Sequence, residues 1–352
     1  MSNVSLLGKW LPSEGTAQDK TAKLLMKELG MTPRQYRKMT VKLRKSLNIV
    51  ETAMCSREWD TINFEHVPSV AMSRYTKAFK KNSLESWESY LGQVEKGEAK
   101  INASAIYPHE IAYKARREFD RGLEAQWKAL PDYLGPDNRI LPILDTSGSM
   151  SCAAGGDSKI QCVDVCLALG LYTAERNRGP FQNSVLTFSE NPRFVKIAGA
   201  TLQDKLNSLY TGEVAGSTNL DKAFDLILQT AVAYKVPQED MPTTLLIMSD
   251  MEFNPSYGGY DLRRGTYSRT ASEMIRAKYQ AAGYTMPTVI YWNLNARVGN
   301  TPVKQHESGV ALVSGYSPSI LKFVCGATYE ETTPYMLMKQ VVDSERYSRI
   351  VI

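Results

Sequence analysis

The chain has 352 residues, and 43% of them are hydrophobic, which is enough to bury a core and argues against wholesale disorder. Its length fits two domains of ordinary size or one large domain. No stretch approaches the roughly 20 apolar residues of a membrane span, and residues 1–7 lack the basic start of a signal peptide. Five Cys are typical of a reducing compartment, and three His disfavour a zinc enzyme built on His clusters. We therefore expect a cytoplasmic protein without membrane contact.

The charge is unevenly distributed along the chain. The net charge is +5, and residues 1–138 hold 22 Lys and Arg against 17 Asp and Glu, whereas residues 139–352 hold 20 of each kind. The excess is sharpest between Lys20 and Lys45, where nine basic residues stand against one acid, Glu28. A basic segment of this kind is a candidate for binding phosphates.

The first part of the chain has the pattern of helices. Helix formers, capping residues and breakers predict helices over 16–29, from Thr32-Pro33 to about 47, and over 68–81, 83–96 and 108–130. No alternating strand pattern occurs before about residue 138. The sequence therefore predicts an α-helical, basic N-terminal domain over residues 1–137.

Beyond the turn-rich segment Pro131–Asn138, short apolar runs alternate with helical patterns. The runs predict strands at 139–144, 184–188, 243–248, 288–292 and 310–313. Between and after them we predict helices at 160–175, which we interpret as amphipathic, and at 201–209, 220–234, 268–282 and from 317 onward. This alternation predicts an α/β domain over residues 138–352 with a mostly parallel, doubly wound sheet. Pro142 inside the first run is unusual, because proline lacks a donor for the sheet ladder.

Hard oxygen ligands follow two of the predicted strands. Asp145-Thr146-Ser147-Gly148-Ser149 comes directly after the first strand, and Asp250 follows the strand that ends at Met248. Because ligands bind at the carboxyl ends of strands in open α/β sheets, we expect these side chains to meet at one edge. The hydroxyl of Thr218, in a loop before a helix, is a further candidate. Such oxygens suit Mg²⁺ or another hard divalent cation.

These three elements resemble the metal-ion-dependent adhesion site of a von Willebrand factor A domain, over roughly residues 139–345. The resemblance implies that Ser147 and Ser149 bind Mg²⁺ directly, and that Thr218 binds it directly or through water. Asp145 and Asp250 would hold the ion mostly through waters, and an open position would accept an Asp or Glu carboxylate from a protein partner.

Over its whole length the chain is similar to TROVE-type proteins, the family of the Ro autoantigen, and more closely to TROVE-like proteins with a C-terminal A domain. The segments that carry this similarity are 7–14 (LGKWLPSE), 36–38 (YRK), 58–63 (EWDTIN), 100–104 (KINAS), 126–130 (QWKAL) and 249–253 (SDMEF). The resemblance implies an RNA-binding ribonucleoprotein component as the second functional class.

The candidate nucleic-acid contacts lie on the second predicted helix. They are Arg34, Arg37, Lys38, Lys42 and Lys45, together with Arg44, with Tyr36 nearby for stacking on bases. Most of them share one helical face. The alternative interpretation is a solvated helix face, or one that packs on an acidic partner.

The sequence gives weaker evidence for an enzyme or for a soft-metal site. Aspartyl-phosphate phosphatases carry a second Asp two residues after the first, where this chain has Ser147, and no phosphate-binding or dinucleotide-binding glycine motif occurs. Cys162 and Cys166, one turn apart, form either half of a soft metal site or ordinary buried positions. We therefore expect a non-enzymatic interaction module, with RNA binding as the alternative, and the sequence leaves oligomerisation open.

Overall fold

A computed structural model describes residues 7–135, 139–154, 157–188, 191–210, 220–250, 260–261, 266–267, 271–295, 309–316, 318–326, 335, 338–339 and 342–345. The chain divides into two compact units, Met1–Ala103 and Ser104–Ile352. The first unit holds 17 Lys and Arg against 11 Asp and Glu, and the second holds 25 against 26. The basic excess therefore belongs to the first unit.

Where it is described, the first unit consists of helices and two short 3₁₀ turns. Its helices are α1 (Leu7–Trp10), α2 (Asp19–Glu28), α3 (Pro33–Ser46), α4 (Val50–Ser56), α5 (Ser69–Asn82) and α6 (Leu84–Glu95). Helix α3 begins as predicted, with Pro33 in its first turn and Thr32 as N-cap. The Thr32 side chain accepts from the Gln35 N–H at 3.3 Å, and the Gln35 side chain accepts from the Thr32 N–H at 2.8 Å. This capping box satisfies two backbone donors that the helix would otherwise leave unpaired.

The core of this unit has two parts. Ala22 and Met26 of α2 pack with Tyr36 of α3. Farther along the chain, aromatic rings cluster around Phe64, whose centroid lies 5.2 Å from those of Phe79 and Trp87. Such aromatic pairs add stability beyond the area that they bury.

The second unit begins with two helices, α7 (Pro108–Ala115) and α8 (Arg121–Lys128). The prediction of one helix over 108–130 was therefore wrong. The chain breaks because Asp120 takes an extended conformation and its carboxylate accepts from the Leu123 N–H at 2.9 Å, which starts α8 afresh. An Asp in this position caps a new helix more effectively than it continues an old one.

The centre of the second unit is a six-stranded sheet of the described residues. We number its strands β1 (Ile140–Asp145), β2 (Ser184–Phe188), β3 (Phe194–Lys196), β4 (Thr244–Ser249), β5 (Thr288–Asn293) and β6 (Val310–Ser314). Their order across the sheet is 3-2-1-4-5-6, and all neighbours are parallel except β2 and β3. This is the order of a doubly wound α/β sheet, as the sequence predicts. The edge strand β3 was not predicted.

Helices cover both faces of the sheet. On one face lies α9 (Cys162–Arg176), which contacts β1, α7 and α10 (Leu202–Leu209). On the other face, α11 (Leu220–Ala233) and α12 (Ala271–Ala281) pack on alternate strand residues such as Leu141 and Ile143. Helix α13 (Pro318–Gly326) follows β6.

Helix α9 differs from the amphipathic helix that the sequence predicted. Every residue from Cys162 to Ala174 is buried, including Asp164. The helix is enclosed because α7 and α10 cover the side that faces away from the sheet. Gly170 makes the approach to the sheet possible, since a Cβ there would collide with the buried side chain of Leu144.

Two local features of the sheet explain irregularities in the sequence. Pro142 pairs in register with Leu246 of β4, whereas the ladder with β2 begins only at Ile143, so the proline lies before that ladder. After β1, a short antiparallel hairpin of Ala153–Ala154 and Asp157–Gln161 precedes α9 and was not predicted.

None of the described helices is long and apolar enough to cross a membrane.

Candidate metal centre

The polar cluster lies where the strand order reverses. Strand β1 is flanked by β2 on one side and by β4 on the other, and the chain crosses from one side to the other between them. A crevice forms at such a switch point, outside the carboxyl ends of the strands. Asp145 is the last residue of β1 and Asp250 follows the last residue of β4, so both carboxylates lie at this edge.

The Asp145 carboxylate is fixed by two donors. Its Oδ1 accepts from the backbone N–H of Ser147 at 3.0 Å, which is the short-range turn typical of Asp. Its Oδ2 accepts from the Ser249 hydroxyl at 2.6 Å, so the ends of β1 and β4 are joined directly. Ser249 was not proposed as a site residue, although it stands next to Asp250 at the end of the same predicted strand.

The two serines of the β1 loop converge on one another. Ser147 precedes a 3₁₀ turn over Gly148–Ser151, and this turn brings the Ser147 and Ser149 hydroxyl oxygens to 3.0 Å apart. Both serines are half-buried, whereas Asp145 and Asp250 are fully buried. The two hydroxyl groups are therefore more accessible than the two carboxylates.

The surroundings of Asp145 disfavour its negative charge. Burial raises the pKa of the Asp145 carboxyl, and the negative charge of Asp250 raises it further, while hydrogen bonds from Ser249 and Ser147 oppose the rise. Two buried carboxylates close together repel each other, and a cation between them would relieve that repulsion.

The donor set fits a hard divalent ion. Two carboxylates and two hydroxyls supply oxygens alone, which Mg²⁺ prefers over the nitrogen and sulfur ligands of zinc. Thr218, the fifth predicted ligand, lies outside the described residues. Within the described part of the chain, no three His, Cys, Asp or Glu side chains form a cluster suited to a metal. Cys162 and Cys166 are both buried, and their thiols donate to the carbonyl oxygens of Leu294 and Met248.

Some of the basic residues of α3 that were predicted to contact nucleic acid are exposed to solvent, and others are paired within the protein. Arg34, Lys38, Lys42 and Lys45 are exposed. Arg37 is also exposed but forms an ion pair with Glu14 at 2.5 Å.

Two of the aromatic and basic residues proposed for nucleic-acid contact are engaged inside the fold. Arg44 is half-buried and donates to the Leu11 carbonyl at 2.7 Å. Tyr36 is 1% exposed and donates to the Pro12 carbonyl at 3.0 Å, so the prediction that it stacks on bases was wrong. The helical period that groups the cations on one face also turns Tyr36 toward the core.

Comparison with known proteins gives matches over both parts of the chain. The family model described as Domain of unknown function (DUF7788) matches residues 139–348, and the one described as Domain of unknown function (DUF2828) matches residues 1–135. "Uncharacterized protein L728" of Acanthamoeba polyphaga mimivirus is 33% identical over 97% of this chain. The chain spans 60% of the length of that relative.

Among solved structures, this chain is similar to the Deinococcus radiodurans RO (RSR) protein, with 15% sequence identity and a TM-score of 0.47. The match covers 87% of this chain and 60% of the RO (RSR) chain. It is also similar to the SpRpn10 VWA domain, with 12% sequence identity and a TM-score of 0.29. This match covers 54% of this chain and 98% of the VWA domain chain.

Proposed function

The chain belongs to the family of the domain of unknown function DUF7788, and we propose that its second unit is a non-enzymatic, Mg²⁺-dependent protein-interaction module. The residues that would hold the ion are Asp145, Ser147, Ser149, Thr218 and Asp250. The observation that carries the proposal is the polar cluster at the switch point of the sheet. There the Asp145 carboxylate accepts from the Ser147 N–H and the Ser249 hydroxyl, and the Ser147 and Ser149 hydroxyl oxygens lie 3.0 Å apart.

The chain's own residues have separate parts in this proposal. The Ser249 hydroxyl and the Ser147 N–H hold both oxygens of Asp145 in place, which fixes the carboxylate before any ion arrives. The half-buried hydroxyls of Ser147 and Ser149 would be the direct ligands of the ion. A bound Mg²⁺ would supply an electrophilic centre for an incoming carboxylate. The site then selects a partner that presents an exposed Asp or Glu, as in the adhesion site that the sequence resembles.

Metal binding is tested on the full chain, freed of divalent ions. Addition of MgCl₂ is expected to raise the melting temperature and to give a saturable signal in calorimetry. Asp145→Asn and Ser149→Ala are expected to weaken the Mg²⁺ affinity at least about tenfold. The first removes a carboxylate that would hold the ion, and the second removes a hydroxyl ligand. Asp225→Asn is the matched control, since it removes a carboxylate of the same unit that pairs with Lys278 at 2.7 Å. Equal Mg²⁺ affinity in all of these proteins would refute the metal site.

Partner docking needs a second experiment. Affinity purification of the full chain is carried out with MgCl₂, with EDTA, and with Asp145→Asn, and both protein and RNA are identified in the eluate. We expect a protein that is retained with Mg²⁺ and released in the other two conditions. Retention unchanged by EDTA would show that the partner does not depend on the metal.

Polyanion binding by α3 is the second candidate function. The observation that favours it is that Arg34, Lys38, Lys42 and Lys45 are exposed on a helix that contains no acidic residue. Phosphate contacts by such residues release counterions, so RNA binding has to weaken steeply as salt rises. This proposal concerns the first unit and is compatible with a metal site in the second.

Charge reversal tests the basic surface. Lys38→Glu with Lys42→Glu is expected to abolish binding to a single-stranded RNA, or to lower the salt slope by about 0.7 for each lost contact. Lys81→Glu with Lys96→Glu is the matched control, because both lysines are exposed in the same unit and the net charge changes equally. If both double variants lose affinity alike, the binding follows net charge and not α3.

A further inference from the structure

Two cysteine thiols meet beside the loop that carries Ser147 and Ser149. The Cys152 and Cys162 sulfurs are 3.5 Å apart, and neither is in a disulfide. Cys152 follows the 3₁₀ turn of the β1 loop, and Cys162 is the first residue of α9. Their contact therefore joins the end of this loop to the start of the buried helix.

The backbone sets the two cysteines opposite each other. Ala153 pairs with Gln161 in the antiparallel hairpin, so Cys152 and Cys162 are the next facing pair, and the Cys162 N–H donates to the Cys152 carbonyl at 3.0 Å. Facing residues of this kind have Cα atoms roughly 5.5 Å apart. That separation lies inside the disulfide range of about 4.4–6.8 Å. A bond then needs side-chain rotation that closes the sulfur–sulfur distance to about 2.05 Å, and no backbone rearrangement.

The two thiols differ in access. Cys152 is half-buried, whereas Cys162 is fully buried and donates to the Leu294 carbonyl at 3.4 Å. An accessible thiol next to an enclosed one is the arrangement of an attacking and a resolving cysteine. Cys166 and Cys325 are fully buried, and Cys55 lies in the other unit, so none of them offers the same pair.

We propose that Cys152 and Cys162 are a redox modification site that forms a reversible disulfide by exchange with a low-molecular-weight disulfide such as oxidised glutathione. The Cys152 thiolate attacks one sulfur of that disulfide, forms a mixed disulfide and releases one small thiol. The Cys162 thiolate then attacks the Cys152 sulfur and releases the second small thiol. The protein dithiol is oxidised, the small disulfide is reduced to two thiols, and those thiols take up the two protons. This proposal does not depend on a metal at the β1 edge.

The test uses the full chain, reduced, freed of divalent ions and then equilibrated with mixtures of reduced and oxidised glutathione. Trypsin cleaves after Lys159, which lies between the two cysteines, and therefore places them on separate peptides. We expect mass spectrometry to find these two peptides joined without reductant and separate after reduction. The intact chain should lose two hydrogen masses.

Variants identify the partners of the crosslink. Cys152→Ser, at the half-buried position, is expected to abolish the joined peptides while leaving the melting temperature of the reduced protein nearly unchanged. Cys166→Ala and Cys55→Ser are expected to keep them, which distinguishes Cys162 from Cys166 on the same peptide. Persistence of the crosslink in Cys152→Ser, its loss in Cys166→Ala, or a stable mixed disulfide at Cys152 without the internal bond would each overturn the proposal.

Discussion

Helices α3 and α9 have nearly the same length, 14 and 15 residues, but they are stabilised in opposite ways. In α3 only Tyr36 and Thr40 are buried, and all of its cations except the half-buried Arg44 are exposed. In α9 thirteen successive residues are buried, and the one charged residue among those thirteen, Asp164, is paired with Arg116. An exposed helix depends on capping and one apolar stripe, whereas an enclosed helix depends on close packing and on the satisfaction of every polar group. The same kind of substitution should therefore cost far more in α9 and its neighbours than in the first unit.

The largest difference is expected for ion pairs. Arg116 donates to Asp164 at 2.6 Å, and the Asp164 side chain is only 2% exposed. Arg116→Met leaves that carboxylate buried without its cation, and we expect a loss of about 3 kcal/mol in the free energy of unfolding by urea. Lys23→Met breaks the exposed pair with Asp19 in α2, and the urea midpoint should stay within its error. Equal shifts for the two variants would contradict the comparison.

Glycines should respond with opposite signs. Gly170→Ala forces a Cβ against the fully buried side chain of Leu144, so we expect the free energy of unfolding to fall by about 1–3 kcal/mol. Gly92, inside α6, has nothing within 4 Å of the position of a Cβ. Gly92→Ala should stabilise the protein by about 0.5–1 kcal/mol, because alanine loses less backbone entropy on folding. Thermal unfolding of both variants checks the signs, and stabilisation by Gly170→Ala would show that the contact with Leu144 relaxes.

The smallest difference concerns helix caps. Asp120, 8% exposed, caps α8, while Thr32 caps α3 in an exposed capping box. We expect Asp120→Ala to cost about 2 kcal/mol and Thr32→Ala about 0.5 kcal/mol, the two ends of the range for lost caps. Asp120→Asn and Thr32→Ser keep an acceptor and should recover most of each loss in urea unfolding. If the free energy of unfolding falls equally in the two alanine variants, burial does not strengthen a helix cap in this protein.

The sequence was most informative where a polar residue ends an apolar run. Asp145 and Asp250 could be placed at one edge because parallel strands must end there, whatever packs on the sheet. The hydrogen bond between Ser249 and Asp145 could not be predicted, because it depends on the register of β1 against β4. Register depends on how two strands align in the folded protein, and it cannot be derived from the hydrophobic pattern of one strand.

Helix environment was harder to predict than helix position. The bounds of α3 and α11 were close to the predicted ones, but α9 was expected to have a polar face. Periodicity indicates which residues prefer burial, and it does not show that a helix from elsewhere in the chain will cover the second side. The same limitation led to the base-stacking prediction for Tyr36, since a tyrosine among cations fits either the surface or a core with one hydrogen bond.

The cover that α7 provides for α9 affects how the protein can be divided into fragments. The DUF7788 match begins at residue 139, but α7 and α8 lie upstream of it and belong to the same compact unit as the sheet. The Trp127 indole donates to Glu175 of α9 at 2.7 Å, and Arg116 pairs with Asp164 of the same helix. A fragment that starts at 139 would leave one apolar side of α9 in water, with Asp164 and Glu175 deprived of those donors. Such a fragment should aggregate, whereas one that starts at 104 retains the helices that keep α9 soluble.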